Sequence, residues 1–185
     1  MSAQELSTFD NSDFDTGAGP IKRMIWYFVN SWIFNSYLFP FYALKRSLLR
    51  IFGAKIGVGV VIKPKVNIKY PWKLSIGQYT WIGEEVWLDN LDELNIGRNV
   101  CVSQGALILS GNHNYKKKSF DLITKKIKIE DSAWIGARSL VSQGVTVGQN
   151  AILMVASVAS ADLEEGGIYR GNPAELVKRR VQDED

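Results

Sequence analysis

LSIGQYTWIGEEVWLDNLDELNIGRNVCVSQGALIL, residues 74–109, carries an aliphatic residue at Ile76, Ile82 and Leu88, then at Ile96, Val102 and Ile108, six apart within each triplet and eight apart between them. A period of six matches neither the 3.6 of an α-helix nor the 2 of an ordinary strand. It matches a parallel β-helix, in which each unit is one short strand and a corner and three units close a triangular coil. Coils would stack at about the 4.8 Å sheet spacing, with the aliphatic heads forming ladders inside. The beat extends upstream to Ile56, Ile62 and Ile68, and downstream to Ile129, Ile135, Val141, Val147, Leu153 and Ala159. Fourteen of these fifteen heads are Ile, Leu or Val, so the choice of phase alone does not explain the pattern. Six are followed by glycine (Gly57, Gly77, Gly83, Gly97, Gly136 and Gly148), which suits a tight backbone path at the corner.

The breaks in the beat are informative. Gaps of eight at 68→76 and 88→96 imply two-residue extensions at the same corner of successive coils. The gap 108→129 is fifteen residues beyond the beat and reads as a loop, LSGNHNYKKKSFDLITKKIK (109–128), holding the chain's one histidine, His113. Loops on rigid scaffolds are where chemistry tends to sit.

Ahead of the repeat, the charge is uneven. Residues 1–19 hold Glu5, Asp10, Asp13 and Asp15 and no base, which reads as an acidic flexible tail. From Thr16 to Gly83 there is no acid, while ten Lys or Arg fall between Lys22 and Lys73, and residues 25–42 hold nine aromatics. Pro40 divides this basic, aromatic segment (20–53) into two expected helices, roughly 21–38 and 41–52. Two compatible readings remain: helices packed across the open end of the coil, and peripheral membrane contact through residues 21–50. The β-helix is expected over 54–165, and a C-terminal cap and tail over 166–185. No nucleic-acid partner is expected, since the bases form no recognised reading motif.

The composition excludes several chemistries. One cysteine, Cys101, leaves no disulfide scaffold or Cys-cluster metal site; beside a ladder head it reads as a buried filler. One histidine cannot build a site that needs several imidazoles. Without a secretory signal or an apolar run of about 18 residues, the expected compartment is cytoplasmic, with the inner membrane face as a peripheral variant.

The ladder, Ser110-Gly111-Asn112-His113, Trp134-Ile135-Gly136-Ala137, Gly144-Val145-Thr146-Val147-Gly148 and Gly171-Asn172-Pro173-Ala174 together resemble the hexapeptide-repeat acyltransferases, over Ile56 to about Val181. WIGEEVWLDN (81–90), NVCVSQGALIL (99–109), His113 to Leu122, RSLLRIFGAKIG (46–57) and YPWKLSIG (70–77) are similar to the colanic acid biosynthesis acetyltransferase branch. The resemblance implies a mainly β fold: a left-handed parallel β-helix of about five coils, with an N-terminal helical segment and a projecting active-site loop. The left hand comes from the family and not from the spacing.

That resemblance also implies an O-acetyltransferase that moves acetyl from acetyl-CoA to a hydroxyl of a sugar or saccharide intermediate in surface polysaccharide biosynthesis. It uses no metal and forms no covalent enzyme intermediate. His113 would be the general base, since an imidazole with a pKa of about 6.5 can take the hydroxyl proton during attack. The CoA groove would lie between subunits of a homotrimer, with backbone groups at Ala137, Val155 and Ser160 along the pantetheine arm and Trp134 beside it. Lys178, assisted by Arg179 or Arg180, would approach the nucleotide phosphates; a solvated face is the alternative. Asp89 and Asn90 would face the acceptor; turn residues at an extended corner are the alternative. Two departures stand out. Met154-Val155 replaces small residues on the groove floor, and Glu175 stands where some relatives keep a base. Met154-Val155 also supports a rival reading, a non-catalytic β-helical scaffold or sugar-binding module without CoA. Zinc carbonic anhydrases on the same helix need three histidines and do not fit.

Overall fold

A computed structural model of the chain describes residues 4–181; the outermost ends of both expected tails, 1–3 and 182–185, lie outside the described residues. The repeat winds as a parallel β-solenoid. The first coil holds β1 (Lys55–Ile56), β2 (Val61–Ile62) and β3 (Asn67–Ile68); the second holds β4 (Leu74–Ile76), β5 (Trp81–Ile82) and β6 (Trp87–Asp89). The third holds β7 (Leu94–Ile96), β8 (Cys101–Val102) and β9 (Leu107–Leu109), after which β10 (Gly111–His113) and β11 (Leu122–Thr124) project as a loop. The fourth holds β12 (Ile127–Ile129), β13 (Trp134–Ile135) and β14 (Leu140–Val141); the fifth holds β15 (Thr146–Val147), β16 (Ile152–Leu153) and β17 (Val158–Ala159). A sixth coil opens with Leu163, bridged to Val147, and β18 (Gly167–Gly171), which folds back on β19 (Ala174–Arg179).

Three parallel faces result, in the orders β1-β4-β7-β12-β15, β2-β5-β8-β13-β16-β18 and β3-β6-β9-β14-β17. The heads stack in register, for example Ile62, Ile82, Val102, Ile135 and Leu153, all buried. Residues two positions before the heads are buried as well, including Val60, Thr80, Val100, Ala133 and Ala151. Alternation turns the residue beside each head outward. Cys101, expected to be a buried filler, is therefore exposed on the second face, because Val102 takes the inward position.

The extended corner lies where the third face passes to the first. It carries a short turn at Pro71–Lys73 below, and the projecting loop above. The corner also holds the N-terminal segment. The Trp72 indole donates to the Thr16 carbonyl at 2.7 Å, and the Lys73 ammonium donates to the Asp15 carbonyl at 2.7 Å. Higher up, the Glu5 N–H donates to the Lys118 carbonyl at 3.0 Å.

Two helices close the lower end, α1 (Pro20–Val29), continued by a π-helical turn over Asn30–Phe34, and α2 (Tyr42–Ile51). The first helical stretch thus stops at Phe34 and not near residue 38. Its wide last turn lets Trp26 and Phe34 both bury against the coil, while the Asn30 amide reaches Asn67 and Ile68.

The open strand edge explains why this lid carries donors. Bonds run both ways between coils: Gly57 and Lys63 donate to the Ile76 and Ile82 carbonyls at 2.8 and 3.0 Å, while Tyr79 and Glu85 donate back to the Val58 and Pro64 carbonyls at 2.9 and 3.3 Å. Four carbonyls of the first coil, at Ile56, Val60, Lys63 and Ile68, face the open end, where they need donors. Arg50 donates to the Ile56 carbonyl at 2.8 and 3.1 Å, Arg46 to Val60 at 2.9 Å, Lys45 to Lys63 at 2.9 Å, and the Trp26 indole to Ile68 at 2.9 Å. Lys45 is buried, and burial pulls its pKa from 10.5 down to about 8.

Candidate active site

The projecting loop is anchored by Ser110, buried at its root, whose hydroxyl and N–H both donate to the Asp89 carbonyl one coil below. From there β10 and β11 pair antiparallel, setting His113 opposite Leu122. The imidazole lies flat on the Phe120 ring, with centroids 4.4 Å apart and planes 3° apart, and Phe9 of the N-terminal segment leans on it at 5.9 Å. Nδ1 lies 2.8 Å from the Phe120 carbonyl oxygen. A carbonyl only accepts, so Nδ1 carries the proton and Nε2 keeps a lone pair. Phe120 holds φ at 52°, a left-handed conformation costly for an aromatic residue, and this turn aims its carbonyl at the imidazole. The half-buried ring is thus held in one tautomer and one plane.

A second feature occupies the second face. Trp134, Ala137, Val155 and Lys178 line one groove of about 720 Å³, together with Ser103, Gln104 and Arg170. That volume lies within the range of small-molecule sites. The Trp134 indole donates to the Ser103 hydroxyl at 2.9 Å, which fixes the ring while leaving it half exposed. Gly136 makes the floor possible, because a Cβ there would sit 2.6 Å from the Leu153 carbonyl and the Val155 nitrogen. Met154 and Val155 both line the groove, and it stays open with them in place. Lys178 and Arg170, brought in by the β18–β19 hairpin, supply positive charge. Arg179 instead pairs with Glu164 and donates to the Glu165 carbonyl at 2.7 Å.

Other residues fall elsewhere. Ser160 is exposed just after β17, at the end of the third face, and is not part of the groove lining. Asn90 does not face an acceptor. It is fully buried, and its amide grips the Tyr70 backbone, accepting from the N–H at 3.1 Å and donating to the carbonyl at 2.6 Å. This is its turn-residue alternative in a stronger form, a clamp on the extended corner. Asp89 remains partly accessible beneath the loop. Burial raises its carboxyl above the usual range, against an opposing pull from Lys69.

Sequence reasoning missed Phe120 and Phe9, which hold the imidazole, and Ser103, which orients Trp134. Ser103 follows the ladder head Val102 in NVCVSQG, two positions after Cys101, the residue in register between Trp81 and Trp134. Nothing in the sequence marks the left-handed turn at Phe120. His113 and the groove sit on different sides of the prism: the loop leaves from the far end of the third face, and the groove lies on the second.

Known proteins are similar to this chain in sequence and fold. No family model matches the sequence. A protein of Escherichia coli (strain K12) named as the colanic acid biosynthesis acetyltransferase WcaF is 36% identical over 181 residues, covering 98% of this chain and 100% of that protein. The galactoside O-acetyltransferase of the same strain is 24% identical over 144 residues, 76% of this chain and 70% of that protein. A hexapeptide-repeat containing acetyltransferase from Vibrio cholerae O1 biovar eltor, solved with acetyl coenzyme A, superposes with a TM-score of 0.81 at 23% identity, over 95% of this chain and 97% of that one.

Proposed function

The chain belongs to the hexapeptide-repeat acetyltransferases, and from that premise we propose that it transfers acetyl from acetyl-CoA to a hydroxyl of a sugar or saccharide intermediate in surface polysaccharide assembly. The family's coil is left-handed. One observation carries the catalytic reading: the Nδ1 proton is committed to the Phe120 carbonyl, which leaves Nε2 as a base. Nε2 takes the acceptor hydroxyl's proton as that oxygen attacks the thioester carbonyl. The C–S bond then breaks, and the imidazolium returns the proton to the departing thiolate. The Phe120 carbonyl stabilises the imidazolium while it exists, and the stacked ring keeps it in plane.

The groove suits the co-substrate. Trp134 and Val155 offer apolar contact to the pantetheine arm beside the Ala137 backbone, and Lys178 and Arg170 offer charge to the phosphates. Asp89, below the loop, is positioned to accept a hydrogen bond from the sugar. Base and groove lie on different sides of one prism, so the reacting centre is assembled between copies. In a cyclic trimer the loop of one chain closes over the groove of the next. The WcaF relative, similar over its full length, supports a role in a comparable saccharide pathway.

Thiol release from acetyl-CoA with a panel of sugars tests the reading. Acceptor-dependent release by the wild type, lowered by about a hundredfold or more in His113→Ala, is expected. Equal release by the variant removes His113 from the mechanism. No release with any acceptor, together with no CoA binding, would favour the scaffold reading.

A further inference from the structure

The helical lid is apolar on both sides, and only one side is covered. On α1 and its extension, Trp26 and Phe34 turn to the coil, while Ile21, Met24, Ile25, Phe28 and Trp32 turn away. The outward set recurs at i, i+3, i+4, i+7 and i+11, a single stripe. On α2, Lys45 and Leu49 turn inward, while Leu44 and Ile51 are exposed; Tyr37, Leu38 and Phe41 of the connection are exposed as well. Trp32 is 69% exposed, Ile51 75% and Leu38 81%. A lid that needed only to plug the coil would carry polar residues on its outer stripes.

We propose that this outer face docks on a lipid bilayer rich in anionic headgroups. The charge around the stripe indicates this occupant. Lys22 and Arg23 lie on α1, Lys63, Lys65 and Lys69 lie on the first coil beside it, and no carboxylate occurs between Thr16 and Gly83. Acids near this face are Glu85 beside Tyr37 and Asp89 beside Lys69, both of the second coil, and Asp15 of the N-terminal segment, whose carbonyl accepts from Lys73. A second copy covering the same face by two-fold pairing would set these cations against their equivalents, whereas anionic headgroups complement them. Tryptophan and tyrosine favour the headgroup boundary, where an apolar stripe flanked by bases lies in the plane of the membrane. Among the described residues no helix is long and apolar enough to cross a membrane, so the contact is peripheral. The lid sits at one end of the coil. If the trimer proposed above closes about an axis parallel to the coil, three lids share one face and bind together. Only this last multiplication rests on the acetyltransferase reading.

Flotation of the full chain with phosphatidylglycerol–phosphatidylcholine vesicles tests the docking, alongside phosphatidylcholine alone and added salt. Two stripe variants are compared, Phe28→Ser/Trp32→Ser and Ile21→Ser/Met24→Ser, each checked for an unchanged melting transition and for acetyl transfer to a soluble acceptor. Anionic vesicles should carry the wild type at low salt and blue-shift its tryptophan emission, and either variant should partition about tenfold less. Three results overturn the proposal: no flotation at low salt, flotation that neither stripe variant weakens, or a fall in the mass of the free protein on mutating the stripe, which would mean that another copy covers it. Lost vesicle binding with retained acetyl transfer in the variants separates this surface from the catalytic reading.

Discussion

At His113, the proposed role as base depends on which nitrogen holds the proton. The Phe120 carbonyl settles this at 2.8 Å, and the fully stacked Phe120 ring settles the plane. General-base assistance contributes about 10²- to 10⁴-fold, so His113→Ala should lower kcat/KM by that order with an unchanged melting temperature. Lys45 makes a different kind of prediction. Its ammonium releases a proton at about pH 8 in the folded chain and at 10.5 in the unfolded one. Between these values the unfolded state binds more protons, so stability rises with pH, and below about 8 the slope vanishes. Tyr70, whose burial raises its pKa above 10.0, opposes the trend from about pH 10 upward. Denaturant unfolding from pH 7 to 10 should show the rise in the wild type and not in Lys45→Met. That variant should also be about 1–3 kcal/mol less stable at neutral pH, because the Lys63 carbonyl loses its donor.

The helical lid is an element defined by the open edge of the coil it covers. The first coil has no coil below it, so the carbonyls of Ile56, Val60, Lys63 and Ile68 on its open edge are met by arginine, lysine and indole donors, and the Ile68 N–H by Asn30. Removing residues 1–53 would expose those carbonyls and the lower ends of the buried ladders together. The shortened chain is expected to self-associate through its bare strand edges, seen as concentration-dependent high-mass species in light scattering. The Arg46→Gln/Arg50→Gln double variant keeps the lid's apolar packing and some donors. It should remain monodisperse with a melting temperature lower by several degrees. The loop is a second element set by its surroundings: Ser110 ties its root to Asp89, and the buried Asn90 clamps the corner on which it stands.

At the scale of the molecule, base and groove occupy different sides of the prism, which makes the assembly testable by complementation. A groove-blocked chain, Ala137→Trp, keeps its loop; His113→Ala keeps its groove. Each alone should be inactive. Co-expressed in equal amounts and assembled at random, they should recover about one quarter of wild-type sites, since each site needs the loop of one variant and the groove of the other. A site built within one chain would recover nothing.

Spacing alone was enough to specify the coil. Ladder heads from Ile56 to Ala159 sit where a period of six places them, because the same inward position recurs once per strand and only aliphatic side chains can stack there. The breaks at 68→76, 88→96 and 108→129 located the extended corner and its loop for the same reason. The tertiary structure decided what depends on direction and on distant partners. The outward turn of Cys101 follows from its place beside a head. The burial of Asn90 depends on Tyr70 twenty residues away, the tautomer of His113 on a left-handed Phe120, and the separation of Ser160 from the groove on which face each coil presents. Periodicity records how often a residue meets the core; which atom it meets is set only when the coils stack.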